Sequence, residues 1–292
     1  MKFLSVVCGL LSVLSSSANL FETLKQSLPS FYHIEDVTDP MAFQALSIAS
    51  FSYCDISQIQ NRSCEDCLNR ELIFTYQPPK KESSQVVIMA DHHDKQLLIG
   101  IRGDRSAKAW MTNVPDTSVR WIVGEIQADF HRKFNEFVFP TLLALKEARK
   151  QYPYYPIIIG GHSTGGVLAA LLGSFLTHKY PRMTPSRLYT FGSPRPGNEL
   201  FAHDMQIKFF DRYMRFINQD DIMGDIPPRS MKYYHTGKMV QCLTGTIHCI
   251  YGMIRDDHEK GIVYSILDAL REEDEMHWVY LGKRIKDYQC TE

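Results

Sequence analysis

The sequence predicts an α/β fold, in which helices flank both faces of a mostly parallel central sheet within a single domain. Two observations favour it. Short apolar runs alternate with helical patterns along the chain, and residues 157–159 are all isoleucine, as expected of a central strand that is buried on both faces. No linker rich in glycine, serine or proline divides the 292 residues, so one domain is expected.

The order of these elements can be predicted from apolar periodicity. Apolar residues recur at helical spacing over 127–150, where Pro140 is expected to bend or break the helix. A polar turn at 91–94 separates two short apolar runs and indicates a strand pair. The predicted elements are strands over 86–90 and 97–101, a helix over 127–150, a strand over 157–159, a helix over 167–177, and strands over 188–191 and 213–217.

Composition excludes several classes of protein. The net charge is −1, from 32 basic and 33 acidic residues, and no basic run is present that could follow a phosphate backbone, so we expect no nucleic-acid partner. No internal stretch approaches the roughly 20 apolar residues that a membrane-spanning helix needs.

The N-terminus has the pattern of a secretory signal peptide. Met1 and Lys2 precede an apolar stretch over 3–14, and small residues at Ser16 and Ala18 suit cleavage after residue 18. We therefore expect a signal peptide over 1–18, a mature domain over 19–292, and a secreted, extracellular protein. The alternative is a buried helix or an uncleaved anchor.

Six cysteines would remain after cleavage, and in an exported chain an even number implies disulfides, with 15 possible pairings. Cys64 and Cys67 are close enough in sequence to pair, as are Cys242 and Cys249, which leaves Cys54 with Cys290. The alternative is a zinc site, because Cys64 and Cys67 have a C-x₂-C spacing, but no second pair completes a ligand set, so we expect no metal. The sequon that begins at Asn61 predicts glycosylation on an exposed loop.

The residues Gly161-His162-Ser163-Thr164-Gly165 form a G-x-S-x-G pattern between a buried strand and a helix. A sharp turn in this setting lifts the serine hydroxyl above the sheet, and the N-terminus of the helix offers backbone N–H groups to a developing oxyanion. The pattern predicts that Ser163 is a nucleophile. The alternative is a glycine-rich turn without chemistry.

At this point the chain resembles a known family, the secreted fungal-type class 3 lipases, which are α/β-hydrolases that cleave acylglycerols. The resemblance covers about residues 43–290 and includes the family's terminal disulfide, at Cys54 and Cys290. Five segments carry it in the family's order: Ile101–Ser106 with Trp110, Gly161–Gly166, Phe191–Asn198, Asn218–Met223 with Ile226–Pro228, and His277–Gly282.

A serine nucleophile needs a base that is oriented by an acid. In α/β-hydrolases the chain order is serine, acid, histidine, which excludes every histidine before Ser163. The candidates for the base are His178, His203, His235, His248, His258 and His277.

The resemblance selects His277 as the base and implies a structural role for His235, with His258 in a charged run as a weaker alternative. It also implies that Asp221 is the acid, since the family places its acid immediately before an apolar pair. Asp220 is the alternative, and it could instead be a turn residue.

Two backbone N–H groups, of Thr164 and Asp104, are expected to form the oxyanion hole. The sequence departs from the family here, which has leucine at the first position and serine or threonine at the second. An ionised Asp104 side chain would repel an oxyanion, so we expect it to turn away, to be protonated or, as we favour, to pair with Arg102 or Arg105.

An apolar stripe at helical spacing follows this loop, at Ala107, Trp110, Met111 and Val114. Ser106 could cap the segment and Pro115 could end it. By itself the stripe fits an ordinary surface helix equally well, but the resemblance implies a lid that covers the serine and opens at a lipid surface.

We therefore expect a monomeric triacylglycerol lipase that binds lipid interfaces transiently and needs no cofactor. The alternatives are an esterase of soluble feruloyl or short-acyl substrates, a phospholipase A1, and a catalytically silent lipid-binding homologue.

Overall fold

The structure is a computed structural model, and it describes residues 33–61, 69–77, 84–104, 117–218, 221–242, 246–251 and 275–285. The strands are β1 (His33–Asp36), β2 (Arg70–Tyr76), β3 (Val86–Asp91), β4 (Gln96–Ile101), β5 (Ser118–Arg120), β6 (Glu125–Gln127), β7 (Ile157–His162), β8 (Arg187–Phe191), β9 (Tyr213–Asn218), β10 (Lys238–Cys242), β11 (His248–Tyr251), β12 (Val279–Tyr280) and β13 (Lys283–Arg284). The helices are α1 (Pro40–Phe51), α2 (Ile56–Asn61), α3 (Ala128–Gln151), α4 (Thr164–Lys179), α5 (Glu199–Phe209) and α6 (Glu275–Trp278).

A large central sheet has the strand order β1-β11-β10-β9-β8-β7-β4-β3-β2. Its middle strands, from β10 to β4 in that order, pair in parallel, and the strands at both edges pair antiparallel. Parallel strands end at the same edge of a sheet, so the loops after β4, β7, β8 and β9 come together there. The predicted α/β-hydrolase fold is confirmed.

The core lies in two layers, one on each face of the sheet. Ile157 and Ile159 belong to the layer that contains the buried residues of α3, α4 and α5. Ile158 belongs to the opposite layer, with the buried residues of α1. This two-sided burial explains why β7 has no polar alternation.

Several features differ from the sequence prediction. Helix α3 continues through Pro140, so the expected break is wrong, and β7 and α4 extend beyond their predicted ends. Helix α1 is absent from the prediction because eight of its 12 residues are buried, which removes the polar stripe that reveals an amphipathic helix. Its start does carry a local signal, since the Asp39 side chain caps the N–H of Met41 at 3.0 Å.

Cys242 and Cys249 lie opposite each other on β10 and β11 and form a disulfide. Cys54 is also disulfide-bonded, whereas Cys64, Cys67 and Cys290 lie outside the described residues. Asn61 is exposed at the end of α2. Among the described helices, none is both long and apolar enough to span a bilayer.

The backbone of α1 rests directly on the centre of the sheet. A Cβ atom on Gly160 in β7 would lie 2.1 Å from the carbonyl oxygen of Ala45 in α1. Since the neighbouring atom is backbone, only a shift of the whole helix could make room. Glycine at residue 160 therefore sets the distance between α1 and the sheet.

We expect Gly160→Ala to lower the free energy of unfolding by about 3 kcal/mol, because the added methyl group overpacks the core. Gly173→Ala in α4 is the matched control. Its Cβ would approach a side-chain atom of Phe209 at 3.2 Å, and alanine favours helices by about 1 kcal/mol. Urea unfolding measures both variants, and an equal loss in the two would contradict this interpretation.

Candidate active site

The turn between β7 and α4 carries Ser163 in a strained conformation. Its backbone has φ 59° and ψ −134°, a combination that residues other than glycine rarely adopt. The Ser163 N–H donates to the carbonyl of Phe191 at 2.9 Å, and the Gly166 N–H donates to the carbonyl of Ser163 at 2.9 Å. These bonds hold the serine at the strand-to-helix junction, the geometry of a nucleophile elbow.

His277 and Asp221 are in contact although 56 residues separate them. Nδ1 of His277 lies 2.9 Å from Oδ2 and 3.1 Å from Oδ1 of Asp221, and both residues are buried. Since a carboxylate only accepts, Nδ1 carries the hydrogen and Nε2 is left as the ring's basic atom. Asp221 follows β9 and His277 lies on α6, so the end of the sheet and the C-terminal segment meet here.

Two further donors reach the Asp221 carboxylate. The Tyr280 hydroxyl donates to Oδ2, and the Met223 N–H donates to Oδ1 at 2.9 Å. Burial alone would raise the pKa of Asp221. The interaction with His277 and the hydrogen bonds from Tyr280 and Met223 outweigh it and lower that pKa below its ordinary value. The carboxylate is therefore held in its charged form.

Gly192 makes room for this pair. It follows β8 and has a φ of +56°, which favours glycine. A Cβ atom there would lie 2.5 Å from Oδ2 of Asp221, 2.5 Å from the Tyr280 hydroxyl and 3.0 Å from Nδ1 of His277. Gly192 and Tyr280 both occur in the segments that suggested the family, but their contacts with the acid and the base were not predicted.

Ser163 and His277 are not hydrogen-bonded to each other. Oγ of Ser163 and Nε2 of His277 are both buried and have no hydrogen-bond partner in the described part of the chain. The ring of His162, the neighbour of Ser163, has its centroid 4.6 Å from that of His277. Hydrogen bonds between a serine and its base are often long before substrate binds, and a serine–histidine–aspartate relay needs a bond between Oγ of Ser163 and Nε2 of His277 to form.

Of the other candidates for the base, His178 lies 2.8 Å from Asp204, His248 contacts Asp36, and His203 is exposed. Asp220 and His258 lie outside the described residues. His235 is buried and donates from Nε2 to the Gly224 carbonyl, and its pKa is lowered well below the ordinary value by burial and by the charges of Arg215 and Arg195. His235 is therefore neutral and bonded to backbone, in keeping with the structural role that the resemblance implies.

The Asp104 side chain has a different partner from the one we expected. Its Oδ2 lies 2.6 Å from Nζ of Lys133 on α3, which also contacts Asp129 at 2.9 Å. The expected arginine partner is replaced by this lysine among the described residues, and Arg105 lies outside them. No sequence signal identified Lys133, since it is 29 residues from Asp104. The carboxylate is thus neutralised by a buried cation.

The backbone N–H of Asp104 is already used. It donates to Oγ1 of Thr164 at 2.9 Å, which the sequence did not predict. The neighbouring Gly103 N–H donates to the Tyr53 hydroxyl at 3.2 Å. That hydroxyl lies 2.7 Å from Nδ1 of His162, whose Nε2 donates to the His277 carbonyl at 2.7 Å. The loop after β4 is thereby connected to the backbone of the candidate base.

The lid candidates Ala107, Trp110, Met111 and Val114 lie outside the described residues. Within the described residues, no group of three or more histidine, cysteine, aspartate or glutamate side chains is arranged to hold a metal ion.

Comparison with known proteins shows what the chain resembles. Residues 98–231 match the model of the family described as lipase (class 3). The chain is 27% identical to a lipase of Rhizopus oryzae over 238 residues, which are 76% of this chain and 60% of that protein. It is also 27% identical to the secreted mono- and diacylglycerol lipase 1 of Fusarium solani over 152 residues, 51% of this chain and 44% of that protein. The chain thus spans about 60% of the length of the Rhizopus relative.

Solved structures show the same fold. Lipase II from Rhizopus niveus superimposes with a TM-score of 0.75 at 22% identity, over 89% of this chain and all of that one. A lipase from Rhizopus microsporus var. chinensis gives 0.73 at 22% identity, over 90% of this chain and 94% of that one. The fold is therefore that of fungal lipases, and residues 98–231 resemble the class 3 lipases.

Proposed function

We propose that this chain is a serine hydrolase that cleaves the carboxylic ester bonds of acylglycerols, with Ser163 as nucleophile, His277 as base and Asp221 as the acid that orients it. The observation that carries the proposal is the buried contact of 2.9 Å between His277 and Asp221 beside a strained serine turn. A buried imidazole paired with a carboxylate is a base that is ready to accept a proton.

In the acylation step, Oγ of Ser163 attacks the acyl carbonyl carbon while its proton moves to Nε2 of His277. The carbonyl π electrons move onto oxygen and form a tetrahedral oxyanion. Collapse of this intermediate breaks the ester C–O bond, and the proton on Nε2 passes to the departing glycerol oxygen. The products are the acyl-serine and an alcohol.

In the deacylation step, water attacks the acyl-serine as Nε2 of His277 takes one of its protons. Collapse of the second tetrahedral intermediate returns that proton to Oγ of Ser163 and releases the fatty acid. Asp221 stays ionised throughout and stabilises the imidazolium in both steps. Every proton is accounted for by these groups and water, so the proposed reaction calls for no metal or organic cofactor.

The substrate class rests on the relatives, whose names include lipase and mono- and diacylglycerol lipase. One structural neighbour is described as a triacylglycerol lipase whose catalytic centre is a serine protease triad. Another is a fungal lipase–inhibitor complex described as a model for interfacial activation. We therefore propose a lipid-ester substrate and transient binding to a lipid surface, with residues 107–114 as the lid.

Export is part of the same proposal. The pattern over 1–18 and the disulfides at Cys242–Cys249 and Cys54 suit an oxidising compartment. Two relatives are named as secreted lipases. We propose that the mature domain, residues 19–292, acts outside the cell.

Ser163→Ala is expected to lower the hydrolysis of emulsified triacylglycerol by about 10⁴-fold or more, since no other group can form the acyl intermediate. Ser186→Ala is the matched control, because its hydroxyl bonds the Ile157 carbonyl at the opposite end of β7. Residual activity of Ser163→Ala close to that of the wild type would rule out the proposed nucleophile.

The same assay, run against a soluble short-chain ester, separates the alternatives. A lipase is expected to increase in rate when substrate forms droplets. An equal preference for dissolved ester would favour the esterase, and a preference for phospholipid vesicles would favour the phospholipase A1.

Tyr280→Phe removes a hydrogen bond to Asp221 but keeps the ring that packs against Phe191 and His162. We expect kcat to fall about tenfold, because a lost bond to a buried carboxylate costs about 1.4 kcal/mol. Tyr154→Phe, at a tyrosine that is 93% exposed, should retain full activity. Wild-type kcat in Tyr280→Phe would show that the hydroxyl does not support the acid.

The lowered pKa of Asp221 predicts a pH dependence of stability. The folded pKa lies below the unfolded value of about 4, so the carboxylate stabilises the fold above that pH and loses this effect as the pH falls through the folded pKa. The difference in unfolding free energy between wild type and Asp221→Asn should therefore grow from pH 3 to pH 6. Urea unfolding across that range measures it, and a difference independent of pH would be inconsistent with a charged Asp221.

A further inference from the structure

We infer that the side-chain hydroxyl of Thr164 donates a hydrogen bond to the oxyanion and so supplies the second donor of the oxyanion hole. The inference rests on the proposed function, since an oxyanion forms only if Ser163 attacks an ester. It concerns a side chain at a position where the resemblance implies only a backbone donor.

Thr164 is placed beside the reacting atoms by its position in the fold. It is the first residue of α4, directly after Ser163, and it is fully buried. Its Oγ1 accepts the N–H of Asp104 at 2.9 Å. In the described part of the chain this is its only side-chain hydrogen bond, so the hydroxyl hydrogen is still available.

Asp104 is the expected second donor, but neither its backbone N–H nor its side chain is available to the oxyanion. Its N–H is directed at Oγ1 of Thr164. Its side chain accepts from Lys133 at 2.6 Å and, as a carboxylate, has no hydrogen to donate. Residue 104 can therefore act on the oxyanion only through the oxygen atom to which it donates.

The chemistry of threonine allows this indirect route. The backbone nitrogen and the hydroxyl oxygen of a threonine are bonded to adjacent carbon atoms, Cα and Cβ. Both groups can therefore donate to the same oxygen atom. A hydroxyl that accepts a hydrogen bond is polarised and becomes a stronger donor. The Asp104 N–H would thus strengthen the hydrogen bond that the Thr164 hydroxyl donates to the oxyanion. Such donors have their largest effect on the charge that develops in the transition state.

The arrangement also accounts for the departure at residue 104. The family that the chain resembles carries a hydroxyl side chain on the loop after β4, where this chain has Asp104. Here the hydroxyl comes from the other side of the site, on Thr164, where the family has leucine. One hydroxyl group is present in both arrangements, but a different residue provides it.

Thr164→Val tests the inference because it removes the hydroxyl and keeps the shape of the side chain. We expect kcat for a soluble short-chain ester to fall about 100-fold, as for loss of one oxyanion donor, with KM changed by less than about threefold because the loss acts in the transition state. The rate of inactivation by an organophosphonate should fall in parallel. Thr164→Ser, which keeps the hydroxyl, should retain kcat within about threefold.

Thermal unfolding checks that each variant is folded, and Thr164→Ala carries the same expectation if Thr164→Val does not fold. A kcat equal to or above that of the wild type in the variant without the hydroxyl would overturn the inference. It would mean that the Thr164 hydroxyl merely accepts the Asp104 N–H in the resting protein, and that this hydrogen bond breaks when substrate binds. The proposed function fails separately, if wild-type protein shows no hydrolysis that depends on Ser163.

Discussion

The space beside Gly192 determines whether Asp221 and His277 can meet. Any side chain there would contact the carboxylate and the Tyr280 hydroxyl at 2.5 Å. Gly192 follows β8, Asp221 follows β9 and Ser163 follows β7, and these three strands are parallel neighbours in the sheet. The topology therefore delivers the loops to one edge, and the missing side chain at residue 192 allows a charged acid and its histidine to be buried together.

Hydrogen-bond partners distinguish the buried histidines of this site. His162 and His235 each donate from Nε2 to a backbone carbonyl, of His277 and Gly224 respectively. His277 instead gives Nδ1 to a carboxylate. A carbonyl fixes a ring in place, whereas a carboxylate also stabilises the charge that a base acquires. On this ground His277 is the best-suited base among these three buried histidines.

The sheet and its order were largely predictable because each central strand is short, apolar and followed by a helix or turn signal. The predicted strands at 157–159 and 188–191 lie within β7 and β8. Helix α1 was not predictable from periodicity, because burial on nearly all sides removes the polar residues on which that signal depends. Local pattern therefore identifies half-buried elements better than fully buried helices.

The candidate site also has parts that were predictable from the sequence and parts that were not. Ser163, Asp221 and His277 occur in recognisable segments, and the contact between the last two is present in the structure. The partner of Asp104 could not be predicted from the sequence. Lys133 is distant from it in the chain, and any cation closer in sequence was an equally good candidate. The hydrogen bond from the Asp104 N–H to Thr164 was also not predictable, because this bond depends on the relative placement of two loops.

The most direct test of the serine–histidine–aspartate assignment is the rate at which an organophosphonate labels the protein, followed by mass spectrometry of the modified peptide. Label should appear on Ser163, and His277→Ala should slow labelling by about 10³-fold or more, because the serine then lacks its base. Label on another residue, or an equal rate in His277→Ala, would contradict the assignment.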